Sequence, residues 1–212
     1  MPAGTIITFS LNLLSAIVAL LTSYYAYRSN RLVGSSVLSA VSIGFMLLGI
    51  GLAVDAGTSL ATGKLLIGVS GDRALTLLAS FSYLTVQMLA YFVIAIGYGR
   101  ATYGNMAKAA APAILVGWAA NLREYSVVSY FIVLILLAFV VFQGILLRSG
   151  GKGRMASIVL LAFALILAAH LVLLLSVLTA GTGLFLIGTG VQFLGFLALL
   201  VFVVRSEVVV PR

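Results

Sequence analysis

Seven apolar stretches, each close to the length of one bilayer crossing, take up nearly all of this 212-residue chain. A hydrocarbon core about 30 Å thick asks for roughly 20 apolar residues per helix. Hydrophobic residues make up 63% of the chain and charged residues 8%, with a mean hydropathy of +1.28. Soluble domains do not have that composition. In lipid the backbone must satisfy its own hydrogen bonds, which leaves helices or a closed barrel. Barrel strands alternate apolar and polar positions. Stretches such as Phe131–Val141 do not alternate, so the chain predicts an all-α integral membrane protein, a seven-helix bundle in one transmembrane domain.

The segments predict helices near Thr5–Tyr27, Leu32–Val54, Ala74–Gly99, Met106–Asn121, Ser126–Leu147, Met155–Leu178 and Leu184–Val204. The fourth is short and contains Pro112, which a helix tolerates only in its first turn. No length is left over for a soluble domain. The start, MPAGTIITFS, has no basic n-region, which predicts an uncleaved first span.

Charge then sets direction. Arg28, Arg31, Arg100, Lys108, Arg148, Lys152, Arg154, Arg205 and Arg212 fall on one side of a seven-span layout. Only Lys64, Arg73 and Arg123 fall on the other. The positive-inside rule places the N-terminus outside and the C-terminus in the cytoplasm of a cell-membrane protein. Tyr24, Tyr25, Tyr27, Tyr98 and Tyr103 are expected at the inner interface, Trp118 and Tyr125 at the outer one. The net charge of +8 fits orientation and anionic lipid rather than nucleic acid.

Two stretches echo each other. Val86–Arg100 reads VQMLAYFVIAIGYGR and Val191–Arg205 reads VQFLGFLALLVFVVR, so Val, Gln, Leu and Arg coincide at an offset of 105. Similarly, YRSN…DAGTSL around the second helix echoes LRSG…TAGTGL around the sixth. The pattern points to two parallel halves, residues 5–100 and 126–205, joined by a linking helix over 106–121. Chance matches among apolar helices are the competing explanation. The three-plus-one-plus-three order resembles that of SWEET-type sugar transporters, and seven spans with an outside N-terminus also occur in microbial rhodopsins. The resemblance is one of layout alone. The only prolines are Pro2, Pro112 and Pro211, so the prolines of the first group are missing. The seventh segment has no lysine for a retinal Schiff base.

Polar residues recur at helical spacing. The first helix carries Thr8, Asn12, Ser15, Ala19, Thr22 and Ala26, and the second carries Ser35, Ser39, Ser42 and Gly49. Along the third run Thr76, Ser80, Tyr83, Gln87 and Tyr91. Steps of three and four keep each set on one face. Two readings stand: helix packing through small residues and interhelix hydrogen bonds, or a polar path. Asn12, Tyr83, Gln87, Tyr91 and Gln192 are the candidates for either. Gln87 and Gln192 sit near the midplane, and an amide both donates and accepts. That suits a neutral hydroxylated or amide-bearing solute, or a bond between the two amides or with Asn12.

His170 is the only histidine and lies within the sixth segment. An intramembrane ionisable group is a candidate for function, here a single cofactor ligand, against a neutral imidazole bonded to a neighbouring helix. No second histidine exists to complete a metal site, and there is no cysteine. Asp55, Asp72, Glu124 and Glu207 are expected at helix ends or loops, which argues against an ion-coupled pump. Neither a phosphate loop nor a nucleophile triad stands out. GVSGDR at Gly68–Arg73 lacks the required lysine. No cofactor and no enzyme activity are expected. The expected function is a subunit, anchor or sensor-type element that meets the bilayer and other membrane proteins or copies of itself. The alternative is a facilitative transporter of a small neutral solute.

Overall fold

The computed structural model describes residues 3–61, 73–103, 122–149 and 154–208. They form six helices: α1 (Ala3–Val33), α2 (Ser36–Ala61), α3 (Arg73–Tyr103), α4 (Leu122–Ser149), α5 (Arg154–Thr179) and α6 (Thr182–Val208). No strand occurs among the described residues. All six helices are long and apolar enough to cross a membrane. The expected linking helix over 106–121 lies outside the described residues, as do Trp118 and Asp72.

The helices run longer than their apolar cores. α1 continues six residues past Tyr27, and the first break falls at Gly34 rather than before Leu32. Gly34 adopts φ +67°, and its N–H donates to the Asn30 carbonyl at 2.7 Å, closing the helix with a left-handed cap. The α5–α6 turn uses a related device. Ala180 takes φ 53° and the Gly181 N–H donates to the Ser176 carbonyl at 3.1 Å, six residues bridged as in a Schellman cap.

The six helices pack as a closed ring in chain order, each on its two neighbours, with α6 returning to α1. Contacts give the directions. Asn12 meets Asp55 and Ser23 meets Ser42, so α1 and α2 are antiparallel. Gly44 lies against Ala90 and Ile94, and Gly97 against Ser36 and Ala40, so α2 and α3 are antiparallel. Gly144 on Leu160, Gly188 on Leu173 and Gly195 on Ile166 place α4, α5 and α6 in the same alternation. The α3–α4 pair differs. Thr85 bonds Tyr125 at 2.5 Å and the Gln143 amide donates to Tyr103 Oη at 3.3 Å. Both pairs are 40 residues apart, so α3 and α4 run parallel and in register. Hence α1, α3, α4 and α6 point one way, and α2 and α5 the other. The four parallel helices carry Arg31, Arg100, Arg148 and Arg205 in their last turns. A cation there faces the negative end of the helix dipole.

Large apolar side chains such as Leu14, Ile17, Ile50, Phe131, Ile135 and Leu194 face outward. That is unfavourable in water and expected in lipid. Inside, the first-helix stripe turns inward, with Ser15, Ala19, Thr22 and Ala26 all buried. Glycines set the close approaches. A Cβ on Gly97 would clash with Ala40 Cβ and lie 3.1 Å from the Ser36 carbonyl oxygen.

Two expectations about interfacial tyrosines need correction. Tyr98 and Tyr125 are buried, the first edge-on to Phe163 at 5.6 Å, the second bonded to Thr85. Tyr24, Tyr27 and Tyr103 are exposed near the helix ends carrying most of the arginines. The two sequence echoes also part company. Gln87 and Gln192 occupy matching places in α3 and α6, both buried. The AGT of DAGTSL is helical within α2, whereas the AGT of TAGTGL makes the α5–α6 turn.

Candidate functional site

The ring holds two partly open cavities, one toward each end. The first, about 200 Å³, lies at the end where α1 begins and α2 ends. All six helices line it, with Asn12, Asp55, Tyr83, Tyr130, Thr189 and Gln192 as its principal polar groups. The second, about 400 Å³, lies at the arginine-rich end and is again lined by all six helices. Its walls are mostly apolar, among them Val41, Val140, Leu160, Phe163 and Leu199.

A filled layer separates them. On α6 it runs from Gln192 to Leu199, about 10 Å at 1.5 Å per residue. On α3 it runs from Leu84 to Tyr98, about 21 Å. Phe45 and Phe196 meet edge to face at 5.3 Å across the ring centre. Ile94, Leu137 and Ile166 fill the layer, and all are buried.

The polar part of this layer is built on Gln87 and His170, both buried, on α3 and α5. Gln87 Nε2 lies 2.8 Å from His170 Nε2, and His170 Nδ1 lies 2.7 Å from the Ile166 carbonyl oxygen. A carbonyl only accepts, so Nδ1 carries the proton and Nε2 accepts from the glutamine amide. The neutral tautomer fits this pattern, with the glutamine orientation set by it. The same amide nitrogen donates to Tyr83 Oη at 3.3 Å. Tyr91 presents its ring edge-on to His170 at 5.2 Å, and Tyr130 lies at 6.2 Å. Asn12, expected as a possible partner of the glutamines, instead donates to Asp55 Oδ2 at 3.2 Å. Gln192 lies beside the Tyr83 and Tyr91 hydroxyls. Of the five candidate path residues, Asn12, Tyr83 and Gln192 line the polar cavity, while Gln87 and Tyr91 lie with His170 in the filled layer.

Three polar atoms here have no protein partner: Gln87 Oε1, Tyr91 Oη and Gln192 Nε2. Their residues are 1%, 0% and 4% exposed. Buried polar groups are as a rule bonded; of these three residues only Gln192 lines the polar cavity, with its side chain beside the Tyr91 hydroxyl.

Asp55 was expected at a helix end. It lies inside α2, six residues before Ala61, about 9 Å from the helix terminus. Its carboxylate sits close enough to the Tyr83 and Tyr130 hydroxyls to act on both electrostatically. The misplacement has a simple cause. Apolar content falls after Val54, but Ala56, Leu60 and Ala61 keep the chain helical. Thr58 closes its hydroxyl onto the Val54 carbonyl at 2.7 Å rather than ending the helix. Tyr130 and Thr189 were also missed; nothing in their local sequence separates them from packing residues.

Among the described residues no group of three metal-ligating side chains comes together. Comparison with protein-family models, curated proteins and solved structures finds no match to this chain.

Proposed function

We propose that this chain is a seven-crossing membrane protein that takes a small polar solute into the polar cavity and passes it along the ring axis. The two cavities, one toward each end of the ring and each lined by all six described helices, carry this reading. A bundle selected only for packing gains nothing from such spaces, because every atom lining them loses contacts.

The count of seven is supported by the parallel α3–α4 pair. Tyr103 and Leu122 lie at opposite ends of the ring, and 18 residues separate them. Those residues as a helix rise about 27 Å, close to one bilayer crossing. The same parallel pairing, repeated between α6 and α1, is what a duplicated three-helix unit produces. Arg28, Arg31, Arg100, Arg148, Arg154 and Arg205 gather at one end of the ring, against Arg73 and Arg123 at the other. On the positive-inside rule the polar cavity then opens outside the cell membrane and the C-terminus is cytoplasmic.

The test is solute entry into proteoliposomes, followed by light scattering, with ethylene glycol, glycerol and ethanolamine. Flux above protein-free vesicles is expected for at least one, and Gln87→Leu or Gln192→Leu should reduce it. Unchanged flux in both variants would remove these glutamines from the path.

A second reading, a sensor-type subunit, draws on the apolar walls of the inner cavity, which offer a polar solute few partners. It expects solute binding without flux, and co-purification of other membrane proteins with this chain.

A further inference from the structure

We propose that the inner cavity, at the arginine-rich end, is a binding site for a single-chain anionic amphiphile, a medium-chain fatty-acid carboxylate whose tail enters the ring. This site is separate from the polar cavity, and its occupancy does not depend on solute passage. A seated tail and a solute in transit are alternative occupants of the same space.

The walls select an apolar occupant. Only Ser35 and Tyr98 bring polar side-chain groups to a cavity of about 400 Å³. A water there lacks the roughly two to four polar partners it needs. An empty space forfeits the dispersion contacts of its lining, and a hydrocarbon tail restores them. The lining also reaches the helix ends. Val33 is the last residue of α1, and Ala101 lies two residues before the end of α3, so the mouth is at the membrane surface. The described helices close the ring in chain order. One tail fits such an end opening, whereas a two-chain phospholipid would have to divide its tails across a helix seam. On α4 the lining runs from Val140 to Leu147, a depth of about 10 Å. An extended chain advances about 1.2 Å per bond, so a tail of about eight to ten carbons spans it.

Charge at the mouth selects the head. Arg148 follows the lining residue Gly144 by four positions, and Arg205 follows Phe202 by three. Each therefore lies one turn beyond the cavity wall on the same helix face. Both are exposed, on the two helices that flank α5. Asp55 and Glu124 belong to the opposite end of the ring. Glu207 is the one acidic residue the six helices carry at this end, against Arg28, Arg31, Arg100, Arg148, Arg154 and Arg205. A carboxylate head gains charge-assisted bonds from guanidinium groups. An alcohol head gains no such charge term, and an ammonium head is repelled.

Photolabelling of the full chain in vesicles of zwitterionic lipid tests the site. The probe is a decanoate with a diazirine at its tail end, used at mildly alkaline pH, where the carboxylate is ionised and arginine stays charged. Adducts, mapped by peptide mass spectrometry, are expected on Val140, Phe163 or Leu199, each 1% exposed and within reach only of a tail inside the ring. Unlabelled decanoate should displace the probe at a mole fraction at least about fivefold below that of decanol, and decyltrimethylammonium should not displace it. Arg148→Gln combined with Arg205→Gln should bring decanoate to the level of decanol. Adducts confined to outward-facing side chains such as Phe142, Ile145 and Val201 would overturn the site. Equal displacement by decanoate and decanol from the unaltered chain would overturn the anionic head. Adducts at the same inner positions from a phosphatidylcholine carrying the diazirine in one tail would overturn the single-chain assignment. These comparisons need no variant, so they decide even if the double variant fails to fold.

Discussion

The Gln87–His170 bond joins α3 to α5 across the ring, and its removal gives a prediction with a defined order of magnitudes. His170→Leu strands the Gln87 amide N–H, which keeps only its 3.3 Å bond to Tyr83. It also removes the edge-on Tyr91 contact, of a kind worth about 0.5–1.5 kcal/mol. Gln87→Leu strands the imidazole Nε2 but deletes Oε1, which has no partner to lose. Leaving a buried group unpaired costs about 1–3 kcal/mol in water-soluble proteins. Between membrane helices the measured bonds are smaller, averaging about 0.6 and reaching about 1.7 kcal/mol, because the unfolded chain in lipid also finds partners. Full burial and a 2.8 Å length place this bond toward the upper end. We expect His170→Leu to destabilise by about 2 kcal/mol and Gln87→Leu by about 1 kcal/mol. The double variant should lose less than the sum, with a coupling of about 1 kcal/mol. Reversible unfolding by SDS in bicelles reads all four states. Additivity within about 0.3 kcal/mol, or a Gln87→Leu cost above that of His170→Leu, would refute the bond as described.

Glycine substitutions should divide by place: Gly97→Ala is expected to destabilise by about 1–3 kcal/mol, since Ala40 and the Ser36 carbonyl leave no room. Gly190→Ala, with nothing within 4 Å, is expected to stabilise by up to about 1 kcal/mol, and the same SDS titration checks both. Ala180→Gly relieves a left-handed backbone at an exposed turn and should stabilise by up to about 1 kcal/mol in thermal unfolding. The chain has no cysteine, so single cysteines report sidedness directly. Thr58→Cys should react with an impermeant maleimide on intact cells and Arg31→Cys should not; the reverse pattern would invert the proposed orientation.

What was legible in the sequence was what hydropathy and helical spacing encode: membrane helices, the inward stripe on α1, and the placing of Gln87 and His170 inside helices. Hydropathy reports the length of apolar surface, not of helix, which is why α1 and α2 run on past it and why Asp55 reads as lying at a helix end. Burial of Tyr98 and Tyr125 was hidden for a related reason. A tyrosine near a helix end reads as interfacial whichever way it faces, and only the neighbours, Phe163 and Thr85, decide. The pairing of Gln87 with His170 spans 83 residues and depends on the ring order, which local pattern does not contain.

The ring order also bears on how a solute could pass the filled layer. Every close glycine approach among the described residues lies within α1–α2–α3 or within α4–α5–α6: Gly49 on Leu20, Gly44 on Ile94, Gly97 on Ala40, Gly188 on Leu173, Gly195 on Ile166. Such contacts hold backbones together and tolerate little displacement. The α3–α4 seam is joined by side-chain bonds instead, Thr85 to Tyr125 and Gln143 to Tyr103, which can break and reform at low cost. On the proposed reading, the two triplets rock about the two parallel seams, as repeat halves do in alternating access. The layer residues are shared between the triplets: Gln87 faces His170, and Phe45 faces Phe196. Separation at a seam therefore opens the layer without unpacking either triplet. Thr85 meets the far end of the Tyr125 ring, so cysteines at these two positions are too far apart for a direct disulfide; bridged by a short bis-thiosulfonate reagent, they should lock the seam and abolish flux, with recovery on reduction. Cysteines placed at Gly51 and Val86, both within one triplet, should leave flux unchanged when oxidised. If the bridged α3–α4 pair carries solute at the unmodified rate, the triplets do not move as bodies and passage must proceed by side-chain rearrangement within a fixed ring.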